Sequence, residues 1–232
     1  MRVDQHSSQL KEALETHAWD GAWYRRGTFD DGSPLGSSQS DECRIDSIAQ
    51  SWAVLSGAAD PQRAEQAVDK VLEMLVDDEL GIVRLFDPPF DRDGNDPGYI
   101  RGYLPGVREN GGQYTHGAIW LAIAATISGY GNKAQSLFTM LNPIHSTATK
   151  KDVLTYEKEP YVMTADISYE APYTGRGGWS WYTGSAGWMY QGLVKWFLGL
   201  HKEADNLFIA PAVPESFGDY KIIYRFKSSV YT

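Results

Sequence analysis

Cysteine is nearly missing, since Cys43 is alone among 232 residues. A single thiol excludes an internal disulfide and a cysteine metal cluster, and it suits a reducing compartment. Positive charge is scarce too, with 21 Lys and Arg against 30 Asp and Glu and a formal net charge of −9. A nucleic-acid partner calls for basic patches, whereas the densest basic pair here, Arg25-Arg26, stands among acidic residues. No apolar run reaches the roughly 18 to 20 residues of a membrane span, because Tyr, Thr, Ser and Lys break the longest ones. Met1 to His6 lacks the apolar core of a signal peptide. These absences predict an acidic, cytoplasmic protein with no nucleic-acid partner and no membrane segment in this chain.

Aromatic residues, by contrast, are plentiful at 13%, with 8 Trp and 14 Tyr. Many sit in glycine-rich loops, as in Gly177-Gly178-Trp179-Ser180-Trp181-Tyr182-Thr183-Gly184. Rings in such loops make stacking faces for sugars, although large rings also simply fill cores.

One stretch organises the rest: Arg108-Glu109-Asn110-Gly111-Gly112-Gln113-Tyr114-Thr115-His116. Two glycines allow a tight turn, and an apolar helix follows over 113–128, with His116 in its first turns. A helix N-terminus offers unpaired N–H groups and the positive end of a dipole, which suits an anion. Glu, Asn, Gln, Tyr and His gathered there read as a polar ligand site.

Taken in order, residues 8–17 read as an amphipathic helix with Leu10, Ala13 and Leu14 on one face. Residues 27–40 form a loop rich in Gly, Ser, Asp and Pro. A helix is expected from near Asp41, capped by Ser40 or Asp41 and stopped by Gly57. Asp60-Pro61 opens another, running to about Asp77 with an apolar stripe from Ala64 to Leu75. Further helices are expected over 113–128, 132–141 and 183–198. Those beginning near 41, 113 and 183 are nearly uncharged and read as inner helices, each entered from a long polar loop; loops of that length are usually functional. The pattern suggests an α/α toroid, with about half the helices a closed ring requires. After Gly199, residues 206–211 and 220–226 look like short strands. Asp41, Glu42 and Asp46 are either catalytic carboxylates or ordinary dipole partners. Asp87, Asp91, Asp93, Asn95 and Asp96 have a calcium-like density of oxygens but not the EF-hand order, so a turn-rich loop is expected.

Four segments carry a resemblance to glycoside hydrolase family 94: Asp41 to Trp52, Arg108 to His116, Glu159-Pro160-Tyr161, and Gly175 to Met189. That family contains cellobiose and chitobiose phosphorylases and the C-terminal domain of cyclic β-1,2-glucan synthases, and the Asp41 to Trp52 segment looks most like the synthase branch. The resemblance implies a mainly α fold, a partial (α/α)6 barrel over residues 1–200 with a short C-terminal β-segment over 201–232. It implies reversible, inverting phosphorolysis of β-glucosides, with no cofactor and with inorganic phosphate as co-substrate. Phosphate-binding residues carry over to His116, Thr183 and Gly184. Glu109 and Gln113 become candidates for sugar hydroxyls, and Trp179 and Trp181 for a stacking face.

The family's general acid belongs to an Asp-Trp-Asn-Asp-Gly-like segment that this sequence does not contain. No catalytic residue is therefore assigned, and the expectation is an incomplete catalytic unit that is inactive alone and associates with a missing N-terminal half or with itself. Membrane association would then arise only within a larger glucan synthase. A non-catalytic carbohydrate-binding fragment, or an inverting hydrolase with Glu109 as base, are the alternatives.

Overall fold

The computed structural model describes residues 2–92 and 94–232. Among them are seven α-helices: α1 Arg2–Ala13, α2 Ser47–Leu55, α3 Pro61–Met74, α4 Thr115–Ile127, α5 Gly131–Met140, α6 Lys150–Tyr156 and α7 Thr183–Gln191. The protein is mainly helical, and α4 is its hub. Its sequence, THGAIWLAIAATI, carries no ionisable side chain apart from His116, and ten of its residues are buried. Small Ala and Gly side chains let α2, α5 and α7 pack closely around it. Ile119, Leu121, Ile123, Val71 and Leu137 form the centre of the main core. None of the described helices is long and apolar enough to cross a membrane.

The expected outer character holds for α3, whose Ala64, Ala67, Val68 and Val71 are buried while its other face is charged. Asp60 caps it as expected, its carboxylate accepting the Gln62 and Arg63 N–H groups, with Pro61 at the first position. Helix α2 starts later than the sequence suggests. Residues 43–46 are drawn out of helical geometry by pairing with residues 86–88, and Cys43 takes φ 46°. Asp46 becomes the cap, accepting from Ile48 and Ala49 N–H while ion-pairing with Arg26 at 3.2 Å. The cap and the ion pair fit the dipole-partner reading. Helix α1 begins earlier than expected, and its stripe stays in solvent, with Leu10 53% exposed.

Among the described residues the strands are short and occur as antiparallel pairs. Gly27–Thr28 (β1) pairs with Pro34–Leu35 (β2), Ile45–Asp46 (β3) with Phe86–Asp87 (β6), and Val76–Asp77 (β4) with Ile82–Val83 (β5). Gln113–Tyr114 (β7) pairs with Asp166–Ile167 (β8). The C-terminal hairpins are Leu200–Glu203 (β9) with Asn206–Ile209 (β10), and Tyr224–Phe226 (β11) with Ser229–Tyr231 (β12). No residue from 200 to 232 is fully buried.

In the acidic loop, Asp93 lies outside the described residues. Glu42 accepts the Asp91 and Arg92 N–H groups at 2.6 Å, and Asp96 accepts from Gly98 N–H at 2.8 Å. Carboxylates here organise turns.

Candidate functional site

One extended segment, residues 163–168, explains how two distant helix starts meet. Thr115 N–H, at the start of α4, donates to Ala165 C=O, while Ala165 N–H donates to Trp179 C=O. Gly178 N–H bonds Asp166 C=O, and Tyr182 N–H, just before α7, bonds Met163 C=O. The segment is thus clamped between the approach to α4 and the approach to α7, and the two N-termini lie side by side. Tyr114 and Tyr182, each one residue before its helix, place their hydroxyls 3.1 Å apart.

Beyond that pair stands His116, against Gly184. A β-carbon added at Gly184 would lie 3.3 Å from His116 Nδ1, so glycine at this position lets the imidazole approach the second helix. Thr183, one residue earlier, is the exposed first residue of α7. His116 and Gly184 therefore meet at two neighbouring helix N-termini, with Thr183 next to Gly184 in the chain. Trp120 covers the imidazole with ring centroids 4.6 Å apart, and Trp188 stands 6.0 Å away. Both His116 Nε2 and Trp120 Nε1 are buried with no hydrogen-bond partner among the described residues. Burial lowers the proton affinity of His116, which keeps the ring neutral near pH 7. A buried polar atom without a partner is costly, and here two of them stand together.

Glu109 reaches the other side of Tyr114. Its Oε2 is buried and unpartnered among the described residues, beside a cavity of about 240 Å³ that Arg26, Asp46, Tyr99 and Tyr114 also line. Gln113 is turned inward, contrary to the sugar-facing expectation. Strand alternation puts Gln113 on the core side of β7 and Tyr114 on the other; Gln113 Oε1 accepts Val83 N–H at 2.9 Å, and only 1% of the residue is exposed. Trp179 and Trp181 are both 64% exposed. Trp179 stands 6.0 Å from Tyr182. Trp181 turns away, donating to Glu159 Oε1 at 3.1 Å and meeting Tyr161 edge-on.

Three participants escaped the sequence reading. Trp120 lies one helical turn after His116, a spacing that puts both on one face. Asp166 and Arg108 meet at 3.7 Å under the Trp179 loop. Asp166 is 3% exposed, and burial pushes its carboxyl above the usual carboxylate range despite the Trp179 N–H and the Arg108 guanidinium. A carboxyl whose folded value is raised contributes stability that is present below its unfolded value and lost as pH rises through the folded one. Asp166→Asn should therefore gain on the unaltered protein as pH goes from about 4 to about 7. Urea midpoints across that range check this, and a constant difference between the two proteins would refute it.

Residues 1–199 match the family described as "Glycosyl hydrolase 94 superfamily, catalytic domain". The chain is 50% identical over 222 residues to the cyclic beta-(1,2)-glucan synthase NdvB of Rhizobium meliloti (strain 1021), a match covering 96% of this chain and 8% of that protein. It is 34% identical over 220 residues to the solabiose phosphorylase of Paenibacillus borealis, covering 94% of this chain and 28% of the relative. With the N,N'-diacetylchitobiose phosphorylase of Vibrio proteolyticus it shares 31% identity over 229 residues, 97% of this chain and 28% of the relative. The chain thus spans under a third of the phosphorylases and under a tenth of the synthase. It belongs to the glycosyl hydrolase 94 superfamily, and residues 1–199 correspond to part of that family's catalytic domain.

Proposed function

We propose that this chain is the C-terminal part of an (α/α)6-barrel catalytic domain of the phosphorylase or cyclic glucan synthase type, acting on a β-glucoside or β-glucan and inorganic phosphate. The observation that carries the proposal is the approach of His116 to Gly184, with an orphaned Nε2 at two converging helix N-termini. In an inverting reaction a nucleophile attacks the anomeric carbon from one face while an acid protonates the departing oxygen on the other. Phosphate needs no base, since it arrives as an anion. It needs a place that accepts charge, and unpaired helix N–H groups with the Thr183 hydroxyl and the His116 ring offer one. Glu109 would hold sugar hydroxyls from the adjoining cavity, and Trp179 would give a stacking face. Gln113 and Trp181 would shape the mouth from behind.

The acid lies outside this chain, so the sequence as given should form no glucose 1-phosphate from β-glucan and phosphate. Joined to the remainder of the catalytic domain, it should do so only when phosphate is present. Enzymatic detection of glucose 1-phosphate against free glucose tests both statements. Glucose release without phosphate would favour a hydrolase, and sugar binding without turnover by the joined protein a binding module. Turnover by the chain alone would overturn the view that it is incomplete.

A further inference from the structure

A second hollow opens on the other side of the Trp179 loop, and its charge runs against that of the protein. Its volume is about 610 Å³, and Arg108, Lys158, Asp166, Tyr173, Arg176 and Trp179 line it. Three cations therefore face one space in a chain of net charge −9. Among the described residues of the lining the one acid is Asp166, 3.7 Å from Arg108, too far for a hydrogen bond. Arg176 pairs with Glu157 at 2.9 Å, where both side chains are about half exposed and water weakens the attraction. Lys158 makes no ion pair within 4 Å among the described residues, and its charge is felt at a longer range by Glu159 and Asp166.

The backbone places these groups deliberately. Glu157 closes α6 with φ 55°, which turns the chain so that Lys158 crosses Gly177; a β-carbon there would sit 2.7 Å from Lys158 Cγ. Arg108 also takes a left-handed conformation, φ 50°, which is uncommon outside glycine. Aromatic faces stand beside the charges. The Arg108 guanidinium lies 5.9 Å from the Trp179 ring, and that of Arg176 lies 5.6 Å from the Tyr173 ring. Trp179 and Tyr173 remain 64% and 44% exposed.

The hollow is wide and largely open to solvent, so an inorganic anion would touch only part of its lining and use neither ring. We infer that the hollow is a subsite for an acidic sugar, one bearing a carboxylate or a phosphate ester, with the rings stacking on the sugar and the three cations holding its charge. This rests on reading the adjoining Glu109 and His116 region as a glycan site.

The test uses the chain as it stands, with tryptophan fluorescence titrations of cellobionate, glucose 6-phosphate, cellobiose and inorganic phosphate at low salt. At least one acidic sugar should bind about tenfold or more tightly than cellobiose, and the preference should shrink as salt screens it. The two acidic probes distinguish carboxylate from phosphate ester as the preferred charge. Lys158→Ala combined with Arg176→Ala should erase the preference, and Lys158→Glu alone should reverse it. His116→Ala should leave it intact, so a failed phosphate pocket and a failed acidic subsite give different results. Equal binding of acidic and neutral sugars overturns the inference. So does a preference that survives the double substitution, or one that equimolar inorganic phosphate fully competes away.

Discussion

His116→Ala is expected to remove most of the rise in melting temperature that inorganic phosphate gives the unaltered chain. At a ligand concentration one hundred times Kd, binding adds about 2.7 kcal/mol to stability. For a chain of this length each kcal/mol is worth roughly 2 to 4 °C, so the expected shift is about 5 to 10 °C. The loss follows from the imidazole's position. One ring nitrogen faces Gly184, and the other is buried without a partner among the described residues. A hydrogen bond to a charged group is worth about 1.5 to 3 kcal/mol, most of the binding energy of a small anion. Two helix N-termini survive the substitution, so a small residual shift should remain. Burial lowers the proton affinity of His116 in the empty protein, while a bound anion raises it. Sulfate, dianionic throughout, should therefore protect more strongly at about pH 6 than at about pH 8. Differential scanning fluorimetry measures all of this. An unchanged phosphate shift in the alanine variant would remove His116 from the pocket.

Local chemistry was legible in the sequence, and long-range pairing was not. The start of α3 follows from Asp60-Pro61 and a one-sided stripe, all within a single helix. The uncharged α4 likewise declares itself, and Gly111-Gly112 before it explains why His116 lands at a helix start. The start of α2 was misplaced because Asp46 becomes a cap only after residues 43–46 pair with residues 86–88, some forty positions away. Gln113 was misread for the same reason, since its carbonyl is taken by Val83, thirty residues earlier. The short α6 was missed although its signal is local: Thr149 and Asp152 form a reciprocal capping box. Only Tyr156 of that helix is buried, so no apolar stripe drew attention to it. Most consequential is the segment 163–168. The sequence placed His116 and Thr183-Gly184 at separate helix starts, and the family resemblance joined them in one pocket. What could not be read was the extended segment around β8 that physically holds them together, because nothing in its composition names its two partners.

That strand makes Gly178 the most informative small change. A methyl group added there would sit 2.1 Å and 2.3 Å from the two Asp166 carboxylate oxygens, well inside contact distance. Asp166 has little freedom to yield. It is 3% exposed, its Oδ1 accepts Trp179 N–H at 3.3 Å, and its own C=O accepts Gly178 N–H at 2.8 Å. Gly178→Ala must therefore part residues 165–168 from residues 177–179. Overpacking of this kind costs about 1 to 3 kcal/mol, and each lost backbone bond adds about 1 kcal/mol, for a total of about 3 kcal/mol. The functional loss should exceed the stability loss, because the same strand aligns α4 with α7 and supports Trp179. Phosphate protection and sugar-induced fluorescence change should both fall several-fold even where the protein remains folded. Removing the obstructing carboxylate provides the control. Asp166→Ala combined with Gly178→Ala should come within about 1 kcal/mol of Asp166→Ala alone, a coupling that a double-mutant cycle reads directly. Additive effects, or an alanine variant as stable as the unaltered chain, would mean that the strand does not lie against the Trp179 loop as described, and the convergence of the two helix starts would lose its physical cause.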